Sequence, residues 1–436
     1  MVHPIRSTAP HLSGFRTAFA PGIPQKFSDL RIPKSLVMDI LLRHLHSDGV
    51  TSLETTSYIL KLPVPVLDSL FRELRAQQLV TVKGSVGDDY QFVLTVEGRA
   101  LAQERFEISR YIGPAPVSIR DYFLAVKAQA ATVEVERRGL REAFSDLVLS
   151  DRLLDQLGPA IVSQKSLFLY GPSGNGKTSL AERLLRMYKD SILIPYAIEV
   201  DGKIVIMFDP AVHHTVDTEG AELDPRWVAC RRPFIMVGGE LVASMLELHL
   251  DEISGVFAAP AQLKANNGIF LIDDFGRQVM SPRELLNRWI VPLDRRVDYL
   301  TLSYGIKFQV PFEMMVVFST NLNPEDLADA TFLRRIQSKV YVEPVAAYTF
   351  NEIWRRVLNQ RRIPYDPAIA DLVRTLILTD GRKELRACYP NDICNILVAI
   401  SEYEKRSIQM TQDDLERAVA LYFTHSHQKN TSDMGW

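Results

Sequence analysis

Residues 166–185 read SLFLYGPSGNGKTSLAERLL, an apolar run followed by a glycine-rich segment and a helical pattern. Gly171, Gly176, Lys177 and Thr178 have the spacing of a phosphate-binding loop between a strand and a helix. In such a loop the glycines let backbone N–H groups close around phosphate oxygens, and the helix points the positive end of its dipole at them. The predicted nucleotide-binding residues are Gly171, Pro172, Ser173, Gly174, Asn175, Gly176, Lys177, Thr178 and Ser179.

Lys177 and Thr178, at the end of this motif, predict ATP and Mg²⁺ as ligands. We expect Lys177 to neutralise the β- and γ-phosphates and the Thr178 hydroxyl to contribute to the coordination of Mg²⁺. Because the motif stands in the required order of strand, loop and helix, it strongly favours nucleotide binding over a chance match.

A second apolar run, GIFLIDD at residues 268–274, ends in two adjacent carboxylates. Neighbouring carboxylates repel each other unless a cation lies close by, and the phosphate loop predicts such a cation. We expect Asp273 to hold Mg²⁺ together with Thr178. Asp274 is then placed to orient or deprotonate the water that attacks the γ-phosphate.

Two further segments carry polar groups behind apolar runs. Asn321 follows MMVVFST at residues 314–320, and its neutral amide can hydrogen-bond the water and the γ-phosphate without adding negative charge. Arg334 and Arg335 lie within DLADATFLRRIQSKVYV, residues 326–342, ahead of another predicted strand. Taken alone, two adjacent arginines are more typical of a solvated helix face than of a catalytic group.

In this order, the phosphate loop, paired acids, asparagine, double arginine and helical segment resemble the AAA+ ATPases over roughly residues 136–424. The resemblance implies an α/β fold, with a P-loop core built on a parallel sheet and a helical lid. It also implies Walker A and Walker B roles for the first two motifs and a sensor role for Asn321. Arg335, or else Arg334, becomes an arginine finger that acts on the site of a neighbouring subunit, which requires a ring, expected to be a hexamer.

Most AAA+ proteins end the Walker B strand in Asp-Glu, whereas this chain ends it in Asp-Asp. The Asp-Asp ending is similar to that of bacterial replication initiators and helicase loaders, which are active ATPases. The resemblance therefore implies that Asp274 can serve in hydrolysis, and we expect slow turnover because its side chain is one methylene shorter.

Residues 295–312, RRVDYLTLSYGIKFQVPF, predict a β-hairpin with strands near Tyr299–Leu302 and Lys307–Val310. Its place ahead of the sensor strand resembles the hairpin insertion of MoxR-like ATPases and related groups. The segment HLDEISGVFAAPAQLKANNG, residues 249–268, resembles the helix-interrupting loop of the same groups. Both features point into the pore of such rings, which makes Phe257 and Tyr304 candidates for gripping a protein substrate.

Most of the chain also resembles a bacterial family of stand-alone AAA+ proteins with an N-terminal winged-helix-like domain, described as ATPases with chaperone activity. YIGPAPVS at residues 111–118 and LRACYPNDI at residues 385–393 are among the stretches that carry the resemblance. The chain departs from the family at Asn391, where an arginine lid sensor is expected. Asn391 has no positive charge for a phosphate, and Arg386 is the candidate replacement.

The predicted organisation has six parts. They are a flexible N-terminal arm at residues 1–30, a winged-helix-like α+β domain at 31–110, a linker at 111–135, the P-loop core at 136–343, the helical lid at 344–424 and a disordered tail at 425–436.

The winged-helix-like region leaves its partner open. Residues 31–110 contain ten Lys or Arg and ten Asp or Glu, so the basic excess expected of a duplex-DNA binder is missing. Remodelling of a protein partner is therefore favoured over a DNA-directed ATPase, such as a loader or transcription regulator. An ATP-binding scaffold with little hydrolysis is a third alternative, because of Asp274 and Asn391.

Composition predicts an ordinary cytoplasmic protein. The formal net charge is −3, and no window is apolar enough for membrane insertion. The three scattered cysteines predict no disulfide framework. His213 and His214 are adjacent, but no third ligand stands at metal-binding spacing, so we expect no metal site there.

Overall fold

The computed structural model describes residues 15–87, 89–130, 135–218, 220–327, 329–379 and 384–423 of the 436 residues. Along the chain these form a small α+β region, a parallel sheet with a large insertion that builds a second sheet, and a C-terminal group of helices.

The N-terminal region consists of three helices, a three-stranded sheet and a fourth helix. Its elements are α1 (Lys34–Asp48), β1 (Val50–Ser52), α2 (Leu53–Leu60), α3 (Val64–Ala76), β2 (Val80–Val86), β3 (Asp89–Leu94) and α4 (Val96–Ile108). The short strand β1 was not predicted; it pairs antiparallel with β3 and completes a three-stranded sheet. The Ser52 side chain caps α2, and Phe71 stacks on Phe92 at 4.1 Å between ring centroids in the core.

The second half of the predicted flexible arm is packed instead. Phe15 and Phe19 contact the core of the second sheet, and Leu30 is fully buried in the N-terminal core after a 3₁₀ turn at Phe27–Leu30. Burial of each large apolar side chain contributes about 1.5–3 kcal/mol, which holds this Pro-rich segment in place. The first half of the arm, residues 1–14, lies outside the described residues.

The remaining elements run from the predicted linker to the C-terminal helices. In the middle of the chain they are β4 (Val117–Ser118), α5 (Ile119–Ala128), α6 (Arg137–Ala143), α7 (Asp151–Ser163), β5 (Ser166–Tyr170), α8 (Lys177–Arg183), β6 (Ser191–Pro195), β7 (Ala197–Val200), β8 (Lys203–Ile206), β9 (Trp227–Arg231), β10 (Phe234–Val237), β11 (His249–Asp251), β12 (Val256–Ala258), α9 (Ala261–Lys264), β13 (Ile269–Ile272), α10 (Pro282–Arg295), β14 (Val297–Thr301), β15 (Lys307–Pro311), β16 (Met315–Thr320), α11 (Pro324–Leu327), α12 (Ala330–Leu333) and β17 (Ser338–Tyr341). The C-terminal elements are α13 (Ala347–Gln360), α14 (Pro367–Thr379), α15 (Tyr389–Tyr403) and α16 (Gln412–Tyr422).

The parallel sheet has the strand order β10-β13-β16-β5-β17, and all of its neighbouring strands are parallel. Its strands are apolar on both faces, as expected for a sheet covered on both sides. One face buries Phe168, Phe270 and Phe318, and the other buries Leu169 and Leu271. The predicted α/β fold with a parallel sheet is confirmed.

A second five-stranded sheet, with the order β11-β12-β8-β7-β4, is built from three distant parts of the chain. Residues predicted to be a linker supply β4, which pairs with β7, and also α5, which packs on the core of this sheet. The linker prediction for 111–135 is therefore wrong over these elements, because their apolar residues find partners far along the chain. Residues 131–134 lie outside the described part.

The predicted hairpin is confirmed. Strands β14 and β15 pair antiparallel, with Tyr299 opposite Gln309 and Thr301 opposite Lys307. The turn between them contains Gly305 at a φ of +89°, a conformation that glycine adopts without steric cost.

The C-terminal helices α13–α16 pack around their own core, which includes Phe350, Trp354 and Leu397. The predicted helical segment is thus helical throughout its described residues, 344–379 and 384–423, apart from short connections. Within the described part of the chain, no helix combines the length and apolar character needed to cross a membrane.

Candidate functional site

The predicted phosphate loop, paired acids and asparagine meet at one edge of the parallel sheet. Strand register places Tyr170 of β5 beside Thr320 of β16, and Phe318 of β16 beside Ile272 of β13. The segments that follow these three strands therefore leave the sheet at the same carboxyl edge, where open parallel sheets bind their ligands.

The loop needs glycine at two positions for different reasons. Gly171 has a φ of +134°, and a Cβ atom there would lie 2.5 Å from the carbonyl oxygen of Val342. Gly174 has a φ of +80°, and a Cβ atom there would lie 2.6 Å from the Sγ of Cys388. The loop is thus closely packed between the last strand of the sheet and the C-terminal helices.

Lys177 begins α8 and is buried, with 8% of its surface exposed. Its Nζ donates hydrogen bonds to the carbonyl oxygens of Gly171 at 2.9 Å and Pro172 at 3.0 Å. Burial lowers the pKa of the ammonium group, and the charges of Asp273 and Asp274 partly oppose this shift. A cation that is removed from water and held by neutral carbonyl groups is well prepared to receive an anion.

The side chains of Thr178 and Asp273 are joined by a hydrogen bond of 2.8 Å, from Thr178 Oγ1 to Asp273 Oδ2. The backbone N–H of Asp273 continues the sheet by donating to the carbonyl oxygen of Val237 at 2.8 Å. The predicted metal-binding pair is therefore brought together at the sheet edge although its members are 95 positions apart in the sequence.

Asp274 differs from its neighbour in exposure and conformation. Its side chain is exposed, and its backbone has a φ of +48°, in the left-handed region. Its backbone N–H donates to Asp273 Oδ1 at 3.1 Å. The next residue, Phe275, is fully buried and donates its N–H to the carbonyl oxygen of Ser319 at 2.7 Å, so the turn is anchored on β16.

Gln278 is a residue of this site that the sequence did not reveal. Its Nε2 donates to the carbonyl oxygens of Asp273 at 2.8 Å and Asp274 at 3.2 Å, and its Oε1 accepts from the N–H of Gly276 at 2.8 Å. A glutamine after two acids is a common surface pattern, and no motif distinguishes it. Its role appears only when the turn is folded.

Two amide side chains at this edge have buried polar atoms without a partner. Neither Asn321 Oδ1 nor Asn175 Nδ2 makes a hydrogen bond with any described residue. The rest of the turn around Asn321 is satisfied, because Thr320 Oγ1 donates to the carbonyl oxygen of Phe275 at 2.6 Å. Unpartnered buried polar atoms are rare in folded proteins, and here both belong to predicted phosphate-binding segments.

The segment before α15 lies on the phosphate loop. The N–H of Cys388 donates to the carbonyl oxygen of Gly174 at 2.9 Å, and the N–H of Ala387 donates to Asn175 Oδ1 at 3.2 Å. Arg386 Nη1 donates to Ser173 Oγ at 3.1 Å, so the predicted replacement for the lid arginine is brought to the loop. Asn391 is elsewhere on the lid, where its Oδ1 accepts a hydrogen bond from Arg361 Nη2 at 2.9 Å.

The two candidate arginines lie far from the phosphate loop of their own chain. The carbonyl oxygen of Arg335 accepts a hydrogen bond of 3.1 Å from Ser166 Oγ, at the first residue of β5, whereas the loop follows the last residue of that strand. Four strand steps separate these positions by roughly 13 Å. The Arg335 side chain is 14% exposed and pairs with Asp294 at 2.8 Å, while Arg334 is exposed.

The two residues predicted to grip a substrate differ in their exposure to solvent. Phe257 lies in β12 opposite Val205, is 3% exposed and belongs to the core of the second sheet. That prediction is wrong, because the segment expected to be a pore loop forms a strand pair instead. Tyr304 is 50% exposed at the tip of the β14–β15 hairpin, with its hydroxyl group 3.3 Å from Asp201 Oδ2.

His213 is a buried structural residue. Its Nδ1 accepts from the N–H of Asp209 at 2.9 Å, which leaves the proton on Nε2 to be donated to the carbonyl oxygen of Lys264 at 2.9 Å. Burial lowers the pKa of the ring, so the neutral form is stabilised. Among the described residues, no three His, Cys, Asp or Glu side chains cluster as metal ligands would.

Comparison with known proteins gives limited likeness. A domain of unknown function (DUF8689) matches residues 347–421, and no curated protein matches the chain. The chain is similar to the Thermotoga maritima RuvB Holliday junction branch migration motor at 13% identity and a TM-score of 0.35, over 67% of this chain and 72% of that chain. It is also similar to domain III of the Thermotoga maritima replication initiation protein DnaA at 15% identity and a TM-score of 0.38, over 64% of this chain and 95% of that one. At such TM-scores these likenesses carry no functional information about this chain.

Proposed function

We propose that this chain is an AAA+ ATPase that binds MgATP at the carboxyl edge of its parallel sheet, hydrolyses it to ADP and phosphate, and remodels a protein partner. The observation that carries the proposal is the hydrogen bond between Thr178 Oγ1 and Asp273 Oδ2. It joins the end of a glycine-rich loop to a strand-tip carboxylate, beside the buried cation of Lys177, and this combination suits a metal-bound triphosphate.

The residues present fit Mg²⁺. A hydroxyl and a carboxylate oxygen are the hard donors that this ion prefers, and Thr178 and Asp273 supply one of each within 2.8 Å. When bound, Mg²⁺ neutralises negative charge on the phosphate oxygens. Asp273 is the residue placed to hold it, because Asp274 points its side chain to solvent.

Phosphate binding falls to the loop and Lys177. The ammonium group is already desolvated, so its attraction for a phosphate is screened less than that of a surface lysine. The carbonyl groups of Gly171 and Pro172 hold it in place until the anion arrives. The unpartnered Asn175 Nδ2 is a further donor at the same loop.

Hydrolysis requires a base and a group that orients the water. We assign the base to Asp274, whose exposed carboxylate stands next to the proposed metal ligand. We assign orientation of the attacking water to Asn321. Its buried Oδ1 lacks a partner among the described residues and can accept a hydrogen bond from one O–H of the water. The Asp274 carboxylate takes the other proton as the oxygen attacks phosphorus.

We propose that the arginine finger acts between subunits. The position of Arg335 beside Ser166, at the opposite end of β5 from the phosphate loop, supports action on a second copy's site. Arg334 is the more exposed of the two and Arg335 is held by Asp294, so both are kept as candidates. The test begins with Arg334→Ala and Arg335→Ala, each expected to lose ATP turnover if it removes the finger. Mixing the inactive variant with Lys177→Ala subunits, which still carry both arginines, should then restore part of the turnover and identify the finger. If turnover does not recover with either variant, a finger that acts in trans is contradicted.

We propose that Arg386 takes the place of the missing lid arginine. Its contact with Ser173 and the backbone bond from Cys388 to Gly174 support a lid that follows the conformation of the phosphate loop. Asn391, by contrast, is engaged by Arg361 within the lid.

For the N-terminal region we propose a winged-helix domain that binds protein. The order of helices and the three-stranded sheet support the winged-helix assignment. In α3, which would be the DNA-reading helix, Arg72 pairs with Asp68 at 2.6 Å, and Glu73 pairs with Lys34. Positive charge that is neutralised within the domain is of little use to phosphate groups of DNA. Tyr304, exposed on its hairpin, remains our candidate for contact with the partner in a ring.

The experiment that tests this proposal is steady-state ATP turnover measured against protein concentration, with and without duplex DNA, for the wild type and Asp274→Asn. We expect turnover that rises steeply with concentration, is independent of DNA and is lost in Asp274→Asn, while nucleotide binding is kept. Stimulation by DNA that weakens with added salt would instead support a DNA-directed ATPase. Binding without turnover in the wild type would leave a nucleotide-dependent scaffold.

A further inference from the structure

The turn after β13 has an unusual backbone conformation. Within three residues it has two positive φ angles, +48° at Asp274 and +104° at Gly276. A residue with a Cβ atom reaches the left-handed region at a cost of about 1–2 kcal/mol, and Asp and Asn do so more readily than longer side chains. The conformation of Asp274 therefore persists only because the surrounding contacts stabilise it.

Gln278 supplies those contacts from within the turn. Its amide group uses both sides: Nε2 donates to the carbonyl oxygens of Asp273 and Asp274, and Oε1 accepts from the N–H of Gly276. The three bonds measure 2.8, 3.2 and 2.8 Å and enclose the peptide groups on both sides of the left-handed residue. Only an amide of this length offers two donors and an acceptor in this arrangement.

Other contacts of the turn also reach Asp274: its N–H donates to Asp273 Oδ1 at 3.1 Å, and its carbonyl oxygen accepts from the N–H of Arg277 at 3.0 Å. Phe275 is fixed to β16 through its N–H bond to Ser319 and through its carbonyl oxygen, which accepts from Thr320 Oγ1. Asp273 is fixed to β10 through Val237. Between these two fixed residues, the Gln278 side chain bonds the carbonyl groups of both peptides that flank Asp274 and adds to the backbone bond from Arg277.

We propose that Gln278 is a positioning residue for ATP hydrolysis, which sets the direction of the Asp274 carboxylate by holding the turn in its left-handed conformation. This inference rests on the proposed role of Asp274 as the base. The Gln278 side chain bonds Asp273 at its backbone carbonyl oxygen and not at the carboxylate that pairs with Thr178, so we expect it to affect water activation and to leave nucleotide binding unchanged. The same conformation accounts for the shorter acid at position 274, because a left-handed residue favours Asp over Glu.

The first test separates turnover from binding. We expect Gln278→Met, which keeps the length of the side chain and removes its hydrogen bonds, to lower kcat by about 10- to 100-fold, the usual effect of a misplaced catalytic group. The dissociation constant of a fluorescent ATP analogue with Mg²⁺ should stay within about twofold of the wild-type value, since Gly171–Thr178 are unchanged. Thermal unfolding of each variant, measured in the same buffer, shows that the protein is folded.

The second test uses pH as a signature that a general loss of packing would not produce. In Gln278→Glu the new carboxylate faces two carbonyl oxygens and repels them, so kcat should fall at least as far as in Gln278→Met. Protonation returns one donor to this position, so the ratio of kcat in Gln278→Glu to kcat in Gln278→Met should rise as pH is lowered from about 7.5 to about 5.5, toward the range in which Glu titrates. Gln77→Glu, at an exposed position after α3, is the matched control and should show neither effect.

The outcomes distinguish this inference from the proposed function. If the wild type does not hydrolyse ATP, or if Asp274→Asn does so normally, the proposed base is lost and the inference with it. If wild type and Asp274→Asn behave as expected but Gln278→Met turns over at the wild-type rate, the inference alone is overturned. A loss of ATP affinity equal to the loss of kcat, or a flat pH ratio, would also overturn it, because either would indicate a structural role.

Discussion

The two five-stranded sheets of this chain differ in how their buried polar groups are satisfied. Among the described residues at the carboxyl edge of the parallel sheet, Lys177 donates to loop carbonyl groups alone, and the amides of Asn175 and Asn321 each keep a buried atom without a partner. Around the second sheet, Arg226 binds Asp224 and the carbonyl oxygen of Pro116, and Arg232 binds Asp190 together with the carbonyl oxygens of Gln129 and Asn267.

We interpret this difference as one between groups that stabilise the fold and groups that can bind the ligand that we propose. A buried polar group without a partner lowers the stability of the folded protein by about 1–3 kcal/mol. An edge with several such groups is therefore tolerated only if other interactions of the fold offset the loss. Arg226 and Arg232, which flank β9, instead connect segments that are distant in sequence, through carboxylate and carbonyl partners. We therefore expect substitutions at the first edge to change ligand binding, and substitutions around the second sheet to change stability.

The largest effect is expected from Lys177→Ala. Removal of the buried ammonium group should weaken ATP binding by about 100-fold or more, roughly 3 kcal/mol, because each tenfold change corresponds to about 1.4 kcal/mol. Isothermal titration with ATP and Mg²⁺ measures this loss, and the thermal midpoint without nucleotide should change little.

Lys339→Ala is the matched control for that variant. Lys339 also lies in the parallel sheet and donates to a carbonyl oxygen, that of Ile336 at 2.8 Å, but it stands on the edge strand β17, with no side-chain contact to the loop. ATP affinity should therefore be kept. Equal losses of affinity in the two variants would contradict a specific role for Lys177.

Arg226→Met is expected to have a large effect on stability and none on ATP binding. The side chains of Arg226 and Asp224 are each 4% exposed and 2.7 Å apart, so the substitution leaves a buried carboxylate unpaired. Breaking a buried pair in this way costs about 3–5 kcal/mol of unfolding free energy. Denaturant titration measures the loss, while ATP affinity in the folded protein should stay at the wild-type value.

The double variant Asp224→Leu with Arg226→Met tests the reason for that loss. Removal of both charges removes the unpaired carboxylate, so part of the stability should return. A double variant as unstable as Arg226→Met alone would show that the arginine acts through packing, and not through its charge.

The smallest effect is expected from pH, through His213. Burial lowers the pKa of this ring in the folded protein, so the unfolded chain binds a proton more readily. The stability that the neutral ring contributes is complete above the unfolded value of about 6.5 and is lost as the pH falls from there toward the folded value. His213→Gln should reduce the acid-side fall in thermal midpoint by on the order of a few degrees, without altering ATP affinity.

Predictions from sequence depend on signals carried by neighbouring residues. The spacing of Gly171, Gly176 and Lys177 is such a signal, and the nucleotide-binding role that it indicates stays a prediction. The hairpin near Tyr304 was found because alternation and a glycine turn are local signals. The predictions that failed placed residues 15–30 and 111–130 outside the folded core and Phe257 on an open loop.

The failures at residues 111–130 and at Phe257 share a cause in strand pairing. Val117 pairs with Ile198, and Phe257 with Val205, so each segment is stabilised by a partner far along the chain that no local pattern identifies. A short apolar segment has the same sequence pattern whether it covers a core, forms an edge strand or projects from a loop.

The sequence by itself determined which chemical groups the candidate site contains, because glycines, a lysine and strand-tip acids at close spacing constrain the backbone and its charge locally. Only the tertiary structure decided how those groups are aimed. It joined Thr178 to Asp273, brought Arg386 to Ser173, and placed the Gln278 amide on the carbonyl groups of Asp273 and Asp274. The physical reason is that one sequence position is enough to specify the chemical identity of a side chain. The direction in which that side chain points depends on contacts with residues that come close only after folding.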